Sequence, residues 1–158
     1  MGITARPILH VIWRDQDSAL GRRLFSELSY CVRLEMKILL IIGAGGFIGT
    51  ILRYSISQFI QAKALSAFPF GTLAVNIIGC FVIGIVFALS ERTTMSAEWR
   101  LFLATGICGG FTTFSAFSSE TFSLLREGQI WYASAYVILS LLLGILATFV
   151  GYSILRLF

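Results

Sequence analysis

Residues 109–120, GGFTTFSAFSSE, carry groups that could bind ions within an otherwise apolar part of the chain. Three phenylalanines recur at every third position, hydroxyl residues fill three of the four places between them, and Glu120 closes the stretch. The positively polarised edge of a phenyl ring attracts an anion weakly, and hydroxyls donate hydrogen bonds. Because glycine weakens a helix, Gly109 and Gly110 leave two interpretations open. Either the helix breaks here and its freed carbonyls and amides bind ions, or it continues with a kink and the hydroxyls bond to carbonyls one turn back.

The rest of the chain has the composition of a membrane protein. Of its 158 residues 57% are hydrophobic and 13% are charged, and the mean hydropathy is +0.87. A soluble domain has about 25% charged residues. Crossing the hydrocarbon core takes about 20 helical residues, and four uncharged runs predict helices over about 38–60, 70–90, 100–125 and 129–156. We therefore predict an all-α integral membrane fold with four transmembrane helices and a break in helix three, formed by residues 36–158.

Several classes of function lack the residues they would need. His10 is the only histidine, and the three cysteines Cys31, Cys80 and Cys108 have no metal-ligand spacing. No nucleophile or phosphate-binding motif is present, so the sequence does not predict an enzyme. The basic residues lie mostly at the ends of the apolar runs, which is typical of membrane-flanking anchors and not of a nucleic-acid-binding face.

The first 35 residues differ from the remainder, because they contain five arginines and no apolar stretch long enough to span a membrane. One interpretation is that translation starts at Met36, where MKILLIIGAGG resembles the start of an inner-membrane protein. The alternative is a genuine, poorly ordered cytoplasmic arm.

The flanking charges bear on topology. From Met36 onward, one side of the membrane would carry Lys37, Arg92, Arg100 and Arg156, and the other Lys63, Arg126 and Arg53. Such a small difference allows insertion in both orientations and hence an antiparallel homodimer. The five arginines of the full-length arm would instead favour a cytoplasmic N-terminus.

Polar side chains inside the apolar runs are candidates for function. Asn76, in the middle of helix two, offers two donors and one acceptor, although asparagine also commonly joins membrane helices structurally. Tyr136 and Ser140 lie one turn apart on one face of helix four. Glu120 is either a solvated interfacial residue or a vestibule carboxylate, and Arg53 either extends to the interface or balances charge at a pore mouth.

Three segments resemble one family of membrane proteins: GGFIGTILRY (45–54), FGTLAVNIIGCFVIG (70–84) and GGFTTFSAFSSE (109–120). Together they are similar to the CrcB/Fluc fluoride channels, and the combination of the last two segments is the specific signal. The similarity runs from Met36 to about the C-terminus and leaves out the first 35 residues, which favours the Met36 start.

The resemblance implies an antiparallel, dual-topology homodimer with two fluoride pores and a structural sodium ion at its centre. The matching sodium ligands would be the main-chain carbonyls of Gly109 and Thr112. By the same match, the residues facing fluoride would be Asn76, Phe114, Phe117, Tyr136, Ser140, Thr113 and Ser115. Arg53 and Glu120 match charged positions of the family, and Ala116 stands where the family often has threonine.

The implied function is a passive, fluoride-selective channel in the plasma (inner) membrane that exports cytoplasmic fluoride and so reduces its toxicity. Fluoride is small and strongly hydrated, so hydroxyl and amide donors must replace its water, while a fixed positive charge would trap it. Two alternatives remain. A small proton-coupled multidrug transporter would need a carboxylate in helix one, and residues 38–60 contain none. A non-transporting membrane subunit would use the polar residues only as contacts between helices.

Overall fold

A computed structural model describes residues 19–92 and 95–156, and these residues are helical apart from short connections. The helices are α1 (Ala19–Ala64), α2 (Phe70–Arg92), α3 in three consecutive segments (Ala97–Arg100, the π-helical Leu101–Cys108, and Gly109–Phe111), α4 (Phe114–Arg126) and α5 (Ile130–Ile154).

The chain divides into two units, residues 1–40 and 41–158. In the first unit, the described residues 19–40 all belong to α1. The sequence predicted helix one over about 38–60 and an N-terminal extension over residues 1–35. Within that extension, residues 19–35 are helical and continue into helix one, and residues 1–18 lie outside the described part. The proposed translation start at Met36 stays a prediction.

Four segments are long and apolar enough to cross a membrane: Phe25–Ala64, Phe70–Arg92, Ala97–Arg126 and Ile130–Ile154. Large apolar side chains on their surfaces are widely exposed, among them Leu142, Ile145 and Phe149 of α5. Such surfaces suit a lipid environment, because a helix satisfies its backbone hydrogen bonds internally and can present apolar side chains to hydrocarbon. The predicted all-helical fold with four helices fit to span a membrane is confirmed.

Glycines bring the helices of the second unit into main-chain contact. A Cβ on Gly45 would lie 2.7 Å from the carbonyl oxygen of Phe102, and one on Gly110 would lie 2.5 Å from that of Gly46, so α1 and α3 leave no room for side chains there. Gly84 and Gly151 play the same part between α2 and α5. Small residues at membrane helix contacts allow this close approach, which dispersion forces then stabilise.

This packing gives a prediction with a control in the same helix. A Cβ on Gly49 would overlap the carbonyl oxygen of Ile107 and lie 2.9 Å from the amide nitrogen of Phe111, whereas a Cβ on Gly43 would meet nothing within 4 Å. We expect Gly49→Ala to destabilise the protein by about 1–3 kcal/mol, typical of overpacking, and Gly43→Ala to have little effect. Melting temperatures in detergent would test this, and equal values for the two variants would contradict the contact.

The connection from α1 to α2 is organised by one side chain. Leu65 follows α1 with a left-handed φ of 46°, which ends the helix. The Gln61 amide donates to the carbonyls of Ser66 at 2.9 Å and Phe68 at 3.2 Å, and its oxygen accepts from the Gly71 amide at 3.1 Å. This connection places Phe68 in a buried cluster with Leu73, Leu124, Ala133 and Tyr136, and Phe117 packs against that cluster. The core therefore holds Tyr136 and Phe117 in position.

Candidate functional site

Two residues with extended backbone, Thr112 and Thr113, separate α3 from α4 and are called the extended pair below. Thr112 has φ −87° and ψ 157°, and Thr113 has φ −150° and ψ 114°. The Thr113 hydroxyl accepts a hydrogen bond from the Ala116 amide at 3.2 Å, so Thr113 is the N-cap of α4. Gly79 of α2 makes room for this pair, because a Cβ there would overlap the Thr112 methyl group.

Side chains from both neighbouring helices replace the main-chain hydrogen bonds that are interrupted here. From α2, the Asn76 side-chain oxygen accepts from the Thr113 amide at 2.9 Å, and its Nδ2 donates to the Thr113 carbonyl at 3.4 Å. From α1, Arg53 Nε donates to the Gly110 carbonyl at 3.3 Å and the Thr50 hydroxyl donates to the same oxygen at 3.5 Å. Because an asparagine amide has two N–H groups, Asn76 retains one donor beyond this pairing.

Three carbonyls at the end of α3 and the residue after it are not capped by side chains. No described side chain donates to the main-chain oxygens of Gly109, Phe111 or Thr112, whereas those of Cys108, Gly110 and Thr113 each accept from one. Gly109 and Thr112 border the same cleft as Asn76. The described part of the chain has no group of three His, Cys, Asp or Glu side chains that could hold a metal ion. The main-chain oxygens at this place are hard ligands of the kind that could hold a cation.

A cleft of about 420 Å³ lies beside the extended pair. It is lined by Asn76, Gly79, Cys80, Ile83, Ala104, Cys108, Gly109, Thr112, Thr113, Phe114, Phe117, Ser140 and Leu141. None of these residues is charged. The Ser140 Oγ is buried and has no hydrogen-bond partner among the described residues, so its hydroxyl is available to a ligand.

An aromatic row leads away from this cleft. Phe114 is 79% exposed, and its ring centroid is 5.7 Å from that of Phe117. The Phe117 centroid is in turn 5.0 Å from that of Tyr136, which is fully buried. Ser115, another predicted site residue, is exposed and does not line the cleft; its hydroxyl lies 3.2 Å from that of Thr113.

Glu120 is held between two hydroxyl donors. Thr72 Oγ1 donates to one carboxylate oxygen at 2.6 Å, and Tyr136 OH donates to the other at 2.7 Å. The side chain is thus engaged within the helix bundle and is not simply solvated at the interface. Because the Tyr136 hydroxyl proton is committed to Glu120, Tyr136 presents its ring and its hydroxyl oxygen to its other neighbours.

Ten of the eleven predicted residues fall into three places, and the exposed Ser115 lies outside them. Seven of them line the cleft: Asn76, Gly109, Thr112, Thr113, Phe114, Phe117 and Ser140. Tyr136 and Glu120 form the carboxylate cluster with Thr72, and Arg53 lies at the α1 side of the extended pair. Sequence reasoning missed Thr72 and Thr50. Thr72 precedes Asn76 by four residues, so one helical turn placed both on one face, and this spacing could have identified it.

Comparison with known proteins covers most of the chain. Residues 40–152 match the family described as CrcB-like protein, Camphor Resistance (CrcB). A protein of Chlorobium phaeobacteroides (strain BS1) named fluoride-specific ion channel FluC is 47% identical over 75% of this chain and 93% of its own length. A protein of the same name from Thermus thermophilus (strain ATCC BAA-163) is 45% identical over 72% of this chain and 89% of its own length. Another from Pyrococcus horikoshii is 43% identical over 78% of this chain and 99% of its own length.

Proposed function

The chain belongs to the CrcB family, and from this premise we propose that it is a passive, fluoride-selective channel that exports cytoplasmic fluoride. It is a multi-pass membrane protein, and its curated relatives are ion channels and not enzymes. We place it in the plasma (inner) membrane. There an inside-negative potential drives anions outward with about 2.3 kcal/mol per charge per 100 mV, so export needs no energy-coupling site.

The observation that carries this proposal is the neutral cleft at the extended pair. Its polar groups are the free amide N–H of Asn76, the unpartnered hydroxyl of Ser140 and the hydroxyl of Thr113, and its rings are those of Phe114 and Phe117. The Thr112 hydroxyl donates to the Cys108 carbonyl at 3.0 Å and is not counted among these donors. Donors can replace the water of a small anion, and ring edges attract it weakly. Without a fixed positive charge in the lining, the bound anion can leave again, as conduction requires.

The proposed assembly is an antiparallel, dual-topology homodimer with two pores. Support comes from the nearly balanced flanking charges of a chain that starts at Met36 and from the exposure of Phe114, which is 79% exposed beside the cleft although it is a large apolar side chain. A second copy would cover such residues and enclose the cleft.

A structural sodium ion at the dimer centre is part of the same proposal. The uncapped carbonyls of Gly109 and Thr112 fit it, because alkali cations prefer oxygen ligands and interrupted helices commonly supply carbonyls to them. Two copies together would present four such oxygens. The ion would link the two subunits electrostatically, and the residues of the chain would supply the hydrogen bonds to fluoride.

Efflux from liposomes tests the function. The purified protein is reconstituted into potassium fluoride-loaded vesicles, potassium permeability is supplied by an ionophore, and external fluoride is followed with a selective electrode. We expect rapid fluoride efflux without a proton gradient and almost no efflux from chloride-loaded vesicles. Strict dependence on a proton gradient would favour a coupled transporter, equal passage of chloride would contradict selectivity, and absence of any flux would favour a non-transporting subunit.

A further inference from the structure

The Gly110 carbonyl, at the end of α3, is bound by side chains of α1. In a continuous helix this oxygen would accept from the amide of residue 114, but α3 ends at Phe111 and Phe114 already begins α4. Arg53 Nε donates to the Gly110 oxygen at 3.3 Å, and the Thr50 hydroxyl adds a longer contact at 3.5 Å. The two side chains therefore supply a helix C-cap from a different helix.

Arg53 has no other assigned purpose in the described part of the chain. It is half-buried, forms no ion pair with a described carboxylate, and does not line the cleft that holds Asn76 and Phe114. A half-buried guanidinium without a carboxylate partner is costly in a membrane protein. Its hydrogen bond to the Gly110 carbonyl is the contact that accounts for its position.

Capping divides the carbonyls at the end of α3 into two groups. Gly110 faces α1, since a Cβ there would lie 2.5 Å from the Gly46 oxygen, whereas Gly109 is exposed and borders the cleft with Thr112. The oxygens of Gly109 and Thr112 receive no hydrogen bond from a described side chain.

We infer that Arg53 is a positioning residue for the cation site. By binding the Gly110 carbonyl through Nε, it holds the last turn of α3 against α1 and leaves the carbonyls of Gly109 and Thr112 free for the ion. This inference rests on the proposed sodium site. It assigns the preorganisation of that site to the hydrogen bond from Arg53 Nε to the Gly110 carbonyl, and not to the charge of the arginine.

Three substitutions separate the hydrogen bond from the charge. In Arg53→Gln, Nε2 occupies the place of arginine Nε, so the donor is kept and the charge is lost. In Arg53→Lys, a methylene occupies that place, so the charge is kept and the donor is displaced. Arg53→Met lacks both, and Arg126→Met removes an exposed arginine at the end of α4 as a control.

The readout is stabilisation by sodium and does not depend on transport. Melting temperatures of purified protein are measured while NaCl replaces N-methylglucamine chloride at constant ionic strength. We expect the half-saturating sodium concentration to rise about tenfold, or about 1.4 kcal/mol, in Arg53→Lys and Arg53→Met. For Arg53→Gln we expect a half-saturating sodium concentration within about threefold of the wild-type value, because the hydrogen-bond donor is kept. For Arg126→Met we expect the wild-type value.

Different results overturn different statements. A wild type that sodium does not stabilise contradicts the sodium site, and the role of Arg53 with it. A sodium-stabilised wild type with an unchanged Arg53→Met variant contradicts the positioning role alone. If Arg53→Met does not fold, the half-saturating sodium concentrations of Arg53→Lys and Arg53→Gln are compared instead. A wild-type value in the lysine variant together with a raised value in the glutamine variant would assign the effect to charge and overturn the inference.

Discussion

Replacing Asn76 with alanine is expected to reduce fluoride flux by about 100-fold or more. The side chain pairs with both the amide and the carbonyl of Thr113, at 2.9 and 3.4 Å. In the alanine variant both Thr113 groups lose this partner, and each buried polar group left without a partner costs about 1–3 kcal/mol. A barrier to fluoride that is higher by about 2.8 kcal/mol corresponds to a 100-fold lower flux. The variant would also lose the remaining amide donor of the cleft. The measurement is fluoride efflux from liposomes, normalised to incorporated protein.

Two further variants make the result for Asn76 specific. Asn76→Asp keeps the acceptor for the Thr113 amide but adds a carboxylate to an uncharged cleft, and we expect flux as low as in the alanine variant. Ser90→Ala, in the same helix, removes a hydroxyl that bonds to the Val86 carbonyl one turn back, and we expect wild-type flux. Wild-type conduction by Asn76→Ala would show that the residue is not needed for permeation.

Substituting Phe114 with isoleucine is expected to abolish flux while leaving the fold of the subunit unchanged. Phe114 is 79% exposed in the single chain and lines the cleft, so removal of its ring costs little packing within the subunit. Isoleucine has similar hydrophobicity but no positively polarised edge, and it therefore cannot attract a dehydrated anion. Efflux assays would measure the loss, and the elution volume in size-exclusion chromatography would report assembly.

Phe122 provides the matched control for this substitution. It belongs to the same helix, is 65% exposed, and does not line the cleft. Phe122→Ile should conduct like wild type. A Phe114→Ile variant that keeps wild-type flux, or a Phe122→Ile variant that loses as much flux, would contradict an interaction between fluoride and the ring edge at position 114.

The four spans could be predicted from sequence because each helix must by itself be long and apolar enough to cross the hydrocarbon core. An uncharged apolar run of about 20 residues is therefore sufficient to identify a span. The beginning of α1 at Ala19 could not be predicted in this way. Residues 19–37 interrupt their apolar residues with charges such as Arg22, Glu27 and Arg33, and so form no uncharged run. Arginine, glutamate and leucine are nevertheless good helix formers, and the structure continues the helix through them.

The contacts of the site could be predicted less well than its members. Residue type and depth identified Asn76 as a polar group in the middle of a span, but its partner is the main chain of Thr113, 37 positions away. Glu120 presented a similar difficulty, because its two hydroxyl donors come from α2 and α5. Such contacts depend on how the helices pack together, which the periodicity of a single helix does not contain.

The glycine contact between α1 and α3 has a consequence for motion. Where the Gly110 residue meets the Gly46 carbonyl, main chain touches main chain, and no rotamers are available to rearrange. The two helices are expected to move there as one rigid piece, since close-packed contacts transmit displacement instead of absorbing it. Two groups that do line the cleft, the exposed Phe114 and the hydroxyl of Ser140, can instead rotate about single bonds to follow a passing ion.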